Sequence, residues 1–200
     1  VAQGQHASAE LLLERALVIN EKVLGSNHLA IALNLQSLAM LLGSQGKYSA
    51  AEPLNRRMLA IIEKTLGPYH QDVAKSLNGL AVTLWGQGKN SEVEPLMRRS
   101  LAIYEKGRML DNPSFALALS NQAILLSDNQ DFDGAISAMA RSLTIESTWL
   151  LRELPLLPDQ ARSAQLRSLE GWNIPFDWID RDPAAVNLAF DTRLNRQGLL

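Results

Sequence analysis

The chain lacks several things that would assign it to a chemical class. None of its 200 residues is cysteine, which excludes disulfide bonds and thiolate metal ligands. No apolar run approaches the roughly 20 residues that a membrane-spanning helix needs. A formal net charge of -2 leaves no basic stripe of the kind that binds nucleic acid. We therefore expect a cytoplasmic protein without nucleic-acid or membrane partners.

What the chain does contain is a long sequence segment that occurs twice. Residues 38–67 and 80–110 match when the sequence is shifted by 42 positions. The residues that the two segments share include Gln-Gly-Lys at 45–47 and 87–89, and Glu-Pro-Leu at 52–54 and 94–96. A fixed period of this length is typical of stacked structural repeats, in which each repeat packs only on its neighbours.

Each repeat contains two amphipathic helices according to its apolar spacing. Glycine at Gly46 predicts the turn between them. Ser49 followed by Glu52 predicts a capping box that starts the second helix, and Pro53 is expected in its first turn. The apolar positions that recur at three and four residues are Leu35, Leu38, Ala39 and Leu42, then Leu54, Met58, Leu59 and Ile62.

The repeat period divides the chain into segments. We expect a solenoid over 1–150, with a half repeat at 1–24 and full repeats at 25–66, 67–108 and 109–150. The half repeat matches only a second helix, so its first helix is expected to be missing or upstream, and the chain to be a fragment. Residues 151–200 are expected to form a nonrepetitive helical cap or linker, with its aromatic side chains buried.

The small residues of the repeat carry a family resemblance. Ala39, Ala51 and Met58 recur as Ala81, Val93 and Ser100, and again as Ala123, Ala135 and Ser142. This pattern resembles the tetratricopeptide signature, in which small side chains let paired helices approach. The length of the period and the segment QGKNSEVEPLMRRSLAIYEK are similar to those of the kinesin-light-chain type of this repeat. The resemblance implies an all-α fold, a right-handed α-α superhelix with a helical C-terminal cap.

The end of the chain carries a second resemblance. The stretch FDTRLNRQGLL at 190–200 is similar to the segment that, in bacterial proteins, joins such repeats to a caspase-like CHAT peptidase domain. This resemblance implies that a protease domain follows Leu200 and that the repeats serve as its sensing or regulatory arm. None of the catalytic residues of such a domain would lie in this chain.

The tetratricopeptide resemblance also implies a ligand-binding groove on the inner face of the first helices. Trp85 stands where the neighbouring repeats have Gly43 and Ser127, and either contact with a peptide or packing against the next helix would suit it. A carboxylate clamp is not predicted, because apolar residues stand where a second asparagine would be needed. The predicted groove residues are Gln36, Met40, Lys75, Asn78, Val82, Trp85, Ser120, Asn121 and Ile124.

Two further sets of side chains have a structural and a functional interpretation. His28 and His70 occupy equivalent positions at predicted helix N-termini, where capping is favoured over metal binding because two such positions supply too few ligands. An arginine ladder could hold phosphate or an acidic partner, but packing of its stems with the heads in ion pairs is the favoured reading. The ladder consists of Arg15, Arg57, Arg99 and Arg141.

We therefore predict a non-catalytic scaffold, without cofactor or metal, that binds a protein or an extended peptide. An alternative is an architectural module that packs on its own downstream domain or mediates self-association. A hydrolytic enzyme is a third, disfavoured reading, because no nucleophile, base and orienting acid occur together in the sequence.

Overall fold

A computed structural model describes the chain from residue 2 to residue 153, so the expected cap at 151–200 lies almost entirely outside the described residues. This part consists of α-helices, and none of its residues is in a strand. It falls into an N-terminal unit, residues 1–107, and a C-terminal unit that begins at Arg108. The N-terminal unit contains α1 (Ala2–Leu24), α2 (Leu29–Ser44), α3 (Tyr48–Leu66), α4 (Gln71–Gly86) and α5 (Asn90–Lys106), and the C-terminal unit contains α6 (Pro113–Asp128) and α7 (Phe132–Glu153).

The helices keep the period of the sequence. The first helices α2, α4 and α6 begin at Leu29, Gln71 and Pro113, each 42 residues after the one before. The second helices α3, α5 and α7 begin at Tyr48, Asn90 and Phe132 with the same spacing. The prediction of an all-α fold built from helical pairs is confirmed.

The three first helices start in the same way because the residue before each one caps it. His28 Nδ1 accepts a hydrogen bond from the Ala30 N–H at 3.2 Å, and His70 Nδ1 accepts one from the Asp72 N–H at 3.1 Å. Asn112 takes this role before α6. Since an accepting side chain satisfies one of the unpaired N–H groups of a helix start, these residues fix where the helices begin. The capping prediction for the two histidines is confirmed.

The second helices start differently from the prediction. Lys47 is the N-cap of α3, and it makes no side-chain capping bond. Ser49 lies inside the helix, and Glu52 turns away to accept hydrogen bonds from Arg56, Gln87 and Lys89. Three donors, two of them charged, outcompete a single backbone N–H for this carboxylate. The predicted capping box is therefore wrong, and Pro53 lies in the second turn of α3 rather than the first.

In two of the helical pairs a buried serine holds the first helix against the second. The Ser100 hydroxyl on α5 donates to the Ala74 carbonyl on α4 at 2.7 Å. In the C-terminal unit the Ser142 hydroxyl donates to the Ala116 carbonyl at 2.6 Å. Both serines are 0% exposed, so each bond satisfies a buried hydroxyl and lets two helix backbones approach closely.

In the N-terminal unit, α3 packs on two first helices at once. It contacts α2 of its own pair and α4 of the next pair. Its contact with α4 includes a buried hydrogen bond of 2.8 Å from Asn55 Nδ2 to Thr83 Oγ1. Consecutive pairs are therefore joined through the second helix, and this arrangement leaves one side of each first helix open.

Candidate functional site

The open side of α2 carries the most exposed of the predicted groove residues. Met40 is 68% exposed, and Gln36 is exposed one turn before it. Leu33, two turns before Met40 on the same side, is 64% exposed. Sequence reasoning missed Leu33, although its position, 42 residues before Lys75, signals the same face. The helix thus presents two large apolar side chains on a polar surround.

The equivalent side of α4 is more covered. Lys75 is exposed, and its Nζ donates to Asp72 Oδ1 at 3.1 Å. Val82 and Trp85 are half-buried, which leaves part of the Trp85 ring accessible. Asn78, in contrast, is only 7% exposed. Of these predicted residues, Lys75, Val82 and Trp85 can reach a ligand without a change of conformation, whereas the Asn78 amide is largely enclosed.

In the C-terminal unit, α6 exposes an apolar pair of its own. Ile124 is 36% exposed and Leu117, two turns earlier, is 51% exposed. Asn121 lies between them and is half-buried, whereas Ser120 is buried and donates to the Leu117 carbonyl at 3.0 Å. Among the predicted residues of this unit, Ile124 and Asn121 are therefore the accessible ones, and Ser120 serves its own helix.

Arginines of the ladder are engaged within the N-terminal unit. Arg57 on α3 pairs with Glu21 on α1 at 2.5 Å and also donates to the Ser26 carbonyl at 3.1 Å. Arg99 on α5 pairs with Glu63 on α3. Each pair links the second helices of consecutive repeats, which supports the structural interpretation of these two arginines. In the C-terminal unit the Arg141 guanidinium lies 4.9 Å from the centre of the Phe115 ring, a cation–π contact.

A second set of ion pairs uses the repeated Gln-Gly-Lys turn. Glu52 accepts from Lys89 Nζ at 2.6 Å, from Gln87 Nε2 at 2.9 Å and from Arg56 Nε at 2.8 Å. These donors lower the pKa of Glu52 from 4.5 to about 2, with Lys89 as the largest cause. One repeat earlier, Lys47 pairs with Glu10 at 2.9 Å and lowers the pKa of that carboxyl. The turn is thereby tied to the second helix of the preceding repeat.

The described residues offer no grouping for metal chemistry. Within this part of the chain, no three His, Asp or Glu side chains are placed to hold a metal ion. The helices between residues 2 and 153 also include none with the length and apolar character required to cross a membrane. What the geometry offers instead is a set of exposed apolar side chains on the first helices, with one lysine and one partly open indole, which can contact another polypeptide.

Paired helices that recur every 42 residues, with an open face on the first helix of each pair, define a helical-repeat protein. The family model described as tetratricopeptide repeat matches residues 1–64 and 38–106, which together cover more than half of the chain. The chain therefore belongs to the tetratricopeptide repeat family. As a class, these repeats mediate protein–protein interactions.

Solved structures share this fold. BtubC (BKLC) from P. vanneervenii is 22% identical with a TM-score of 0.64, over 72% of this chain and 58% of that chain. A putative kinesin light chain with nearly identical TPR-like repeats from Podosopora anserina is 22% identical with a TM-score of 0.65, over 98% of this chain and 89% of that one. A variant of the latter is 24% identical with a TM-score of 0.68, over 98% and 91%. Identities this low show the fold alone, and this chain spans little more than half of the first structure.

No curated protein matches the chain.

Proposed function

We propose that the chain is a scaffold that binds a protein or an extended peptide on the open side of α2 and α4. The observation that supports this most directly is the exposure of Leu33, 64%, and Met40, 68%. They stand seven residues apart, which places them on one side of the helix. Large apolar side chains exposed together on a polar surround mark interaction sites. Binding would remove both from water.

The chemistry of α4 suggests what the ligand presents next to its apolar residue. The positions of Leu33 and Met40 in α2 are occupied by Lys75 and Val82 in α4. Lys75 already pairs with Asp72, yet its side chain is 40% exposed, so its ammonium can also donate a hydrogen bond to a carboxylate of the ligand. Trp85 offers a partly open ring, and aromatic rings anchor peptides well. The ligand we propose carries an apolar side chain for α2 and a neighbouring acidic group for Lys75.

A second element of the proposal concerns the larger protein. The stretch FDTRLNRQGLL at 190–200 supports a role as the regulatory arm of a cytoplasmic protein with a caspase-like domain after the repeats. In this reading the repeats are at 25–66, 67–108 and 109–150, and the chain itself is non-catalytic. The reading frame beyond Leu200 tests it: a paired His and Cys of that domain would support it, and a frame without them would overturn it.

The binding proposal is tested with a ligand selected for the purpose. A displayed library of random peptides is enriched on the folded protein, and the Kd of one enriched peptide is measured by calorimetry. The Leu33→Ala/Met40→Ala variant should bind it about tenfold or more weakly, because truncation of the few central anchors of an interface costs about 2 kcal/mol or more. Lys75→Gln should weaken the binding of an acidic peptide, by an amount that depends on the salt concentration.

Tyr69→Ala is the matched control, since Tyr69 is a large side chain that is 73% exposed outside this face. It should leave the Kd unchanged. Equal binding by the wild type and the Leu33→Ala/Met40→Ala variant would contradict the proposal. The architectural alternative would gain support if the same variant instead changed the sedimentation coefficient of the protein.

A further inference from the structure

Gly79 lies in the middle of α4, where glycine is an unfavourable residue. The helix runs from Gln71 to Gly86, so eight helical residues precede Gly79 and seven follow it. Glycine is less favourable in a helix interior than any residue except proline, because it loses the most backbone entropy on folding. A glycine at this position therefore lowers the stability of α4 unless the fold requires it.

No contact among the described residues explains the glycine. A Cβ added at Gly79 would meet none of their atoms within 4 Å. At Gly86, in contrast, an added Cβ would meet the Tyr48 ring at 2.7 Å. Gly79 also lacks the positive φ that favours glycine at Gly46 and Gly88. Neither packing nor backbone conformation therefore requires a glycine at this place in α4.

Gly79 does lie among the residues that we propose to contact the ligand. Lys75 is four residues before it and Val82 is three residues after it, and residues at these spacings are neighbours on a helix surface. The equivalent positions in the other first helices carry accessible side chains, Ser37 in α2 and Asn121 in α6. Among the three first helices, only α4 therefore has bare main chain here. We call this place between Lys75 and Val82 the Gly79 depression.

The depth and the chemistry of the Gly79 depression indicate what can occupy it. It is only as deep as one missing side chain, which suits the close approach of a main chain better than the insertion of a large side chain. The half-buried Val82 and the methylenes of Lys75 give it apolar sides. The Lys75 side chain is 40% exposed, so its ammonium places a positive charge at the edge. A polypeptide with an acidic side chain near this point would match both features.

We propose that the Gly79 depression binds the main chain of an extended peptide, beside the acidic group that Lys75 binds. This inference rests on the proposed function, since it specifies how the ligand of the open side contacts α4. The absent side chain lets the peptide reach Val82 and Lys75 together. A side chain at this position, even a methyl group, holds the peptide away from both. Gly79 thus lowers the stability of α4 and permits close contact with the ligand.

The Gly79→Ala variant should gain stability and lose binding. Its Tm should rise by about 2 to 4 °C, because alanine favours the helix and its Cβ meets no described neighbour. Its Kd for the peptide enriched on the wild type should rise about tenfold or more, because the methyl group overlaps the bound main chain. Gly79→Ser and Gly79→Asn, which introduce the residues of the other two repeats, should weaken binding in the order of side-chain size.

Thr65→Ala is the matched control for a helix made more favourable elsewhere. Thr65 is exposed on α3, a second helix, and its hydroxyl donates to the Ile61 carbonyl of the same helix at 2.8 Å. Alanine favours a helix over threonine, so Tm should not fall. The Kd should equal that of the wild type, since the residue lies outside the open side of the first helices. A Gly79→Ala protein with a lower Tm than the wild type would show that the fold needs the glycine and would overturn the inference.

The Leu33→Ala/Met40→Ala variant distinguishes failure of this inference from failure of the proposed function. If that variant loses binding while Gly79→Ala binds as the wild type does, the ligand does not enter the depression. The inference is then refuted and the proposed function stands. If neither variant loses binding, the open side is not the binding surface and both are refuted. Loss of binding by Gly79→Ala alone would support the depression and remove α2 from the proposed site.

Discussion

The turn inside each helical pair shows at the scale of one residue how the third repeat departs from the first two. Gly46 and Gly88 adopt φ values of 72° and 74°, and Gln130, at the same repeat position, adopts 64°. A residue with a Cβ is strained in this left-handed region by about 1 kcal/mol, whereas glycine is not. The third turn therefore keeps the geometry of the repeat at a cost in stability.

Replacing Gln130 by glycine should stabilise the protein. The Gln130→Gly variant removes the left-handed strain, and the free energy of unfolding should rise by up to about 0.5 kcal/mol after the greater flexibility of glycine in the unfolded chain is subtracted. Urea unfolding followed by circular dichroism measures it. Asn129→Gly is the matched control, because Asn129 has φ -83° and gains nothing from glycine. A Gln130→Gly variant no more stable than Asn129→Gly would contradict the prediction.

Single residues also show where sequence reasoning succeeds and fails. The capping histidines could be predicted because capping depends on neighbours two residues away. The close approach of Tyr48 to Gly86, where an added Cβ would meet the ring at 2.7 Å, could not be, since it joins positions 38 residues apart. The sequence does not show that Leu33 is 64% exposed and Asn78 only 7% exposed, because exposure depends on which neighbouring elements cover each first helix.

At the scale of helices and turns, Glu52 links α3 to the turn before α5. Glu52→Gln should lower the free energy of unfolding by about 1 to 2 kcal/mol at pH 7, because the Lys89 and Arg56 hydrogen bonds lose their charged acceptor. Glu94 is the matched control, since it stands at the same repeat position but pairs with Arg98 inside its own helix. Exposed pairs of that kind contribute about 0.3 to 0.5 kcal/mol, so Glu94→Gln should have little effect.

The pH dependence of the Glu52→Gln effect has a definite sign. The folded-state pKa of Glu52 is about 2, below the ordinary 4.5. A carboxyl with a depressed pKa adds stability that is fully present above the unfolded pKa and is lost as the pH falls through the folded pKa. The gap between wild type and Glu52→Gln should therefore be full at pH 7 and shrink from about pH 4.5 towards pH 2. A gap that stays constant over this range would show that the carboxylate charge is not its source.

The capping box predicted at Ser49 is wrong because of contacts between helices and turns. A local pattern predicted that Glu52 would bond the start of its own helix, as in many isolated helices. In the folded chain the Gln-Gly-Lys turn of the next repeat brings Gln87 and Lys89 to the same carboxylate. Residues of the repeated pattern thus contact each other across repeats, Glu10 with Lys47 and Glu52 with Lys89, which a reading of one repeat alone could not show.

At the scale of the whole molecule, the fold of the described residues could be predicted because one period sets the helix boundaries, their pairing and the caps of the first helices together. The candidate site could be predicted only in part. The residues that the repeats share, by which the repeat is identified, are the ones that pack its helices together. The residues open to a ligand, such as Leu33 and Lys75, differ between repeats. They are therefore not marked by the period, and their exposure required the structure.

Within the N-terminal unit, the local stability of a helix should increase with the number of helices that pack against it. The helix α4 packs on both α3 and α5, and Val73, Leu77 and Leu84 along it are 0% exposed. The helix α1 packs on α2 and leaves Leu12 and Ile19 exposed. Since repeat proteins gain stability from each nearest-neighbour interface, α1 should open locally at a lower free energy than α4.

Hydrogen exchange followed by mass spectrometry measures this gradient directly. The amides of α4 should exchange about tenfold or more slowly than those of α1, because their opening requires the loss of two helix contacts instead of one. Equal protection of the two helices would contradict the nearest-neighbour account. Duplication of residues 6–47 before His6 gives α1 a second neighbour, so it should slow exchange in the original α1 while changing α4 little. If α4 gained as much protection as α1, the N-terminal unit would unfold as one cooperative body and not repeat by repeat.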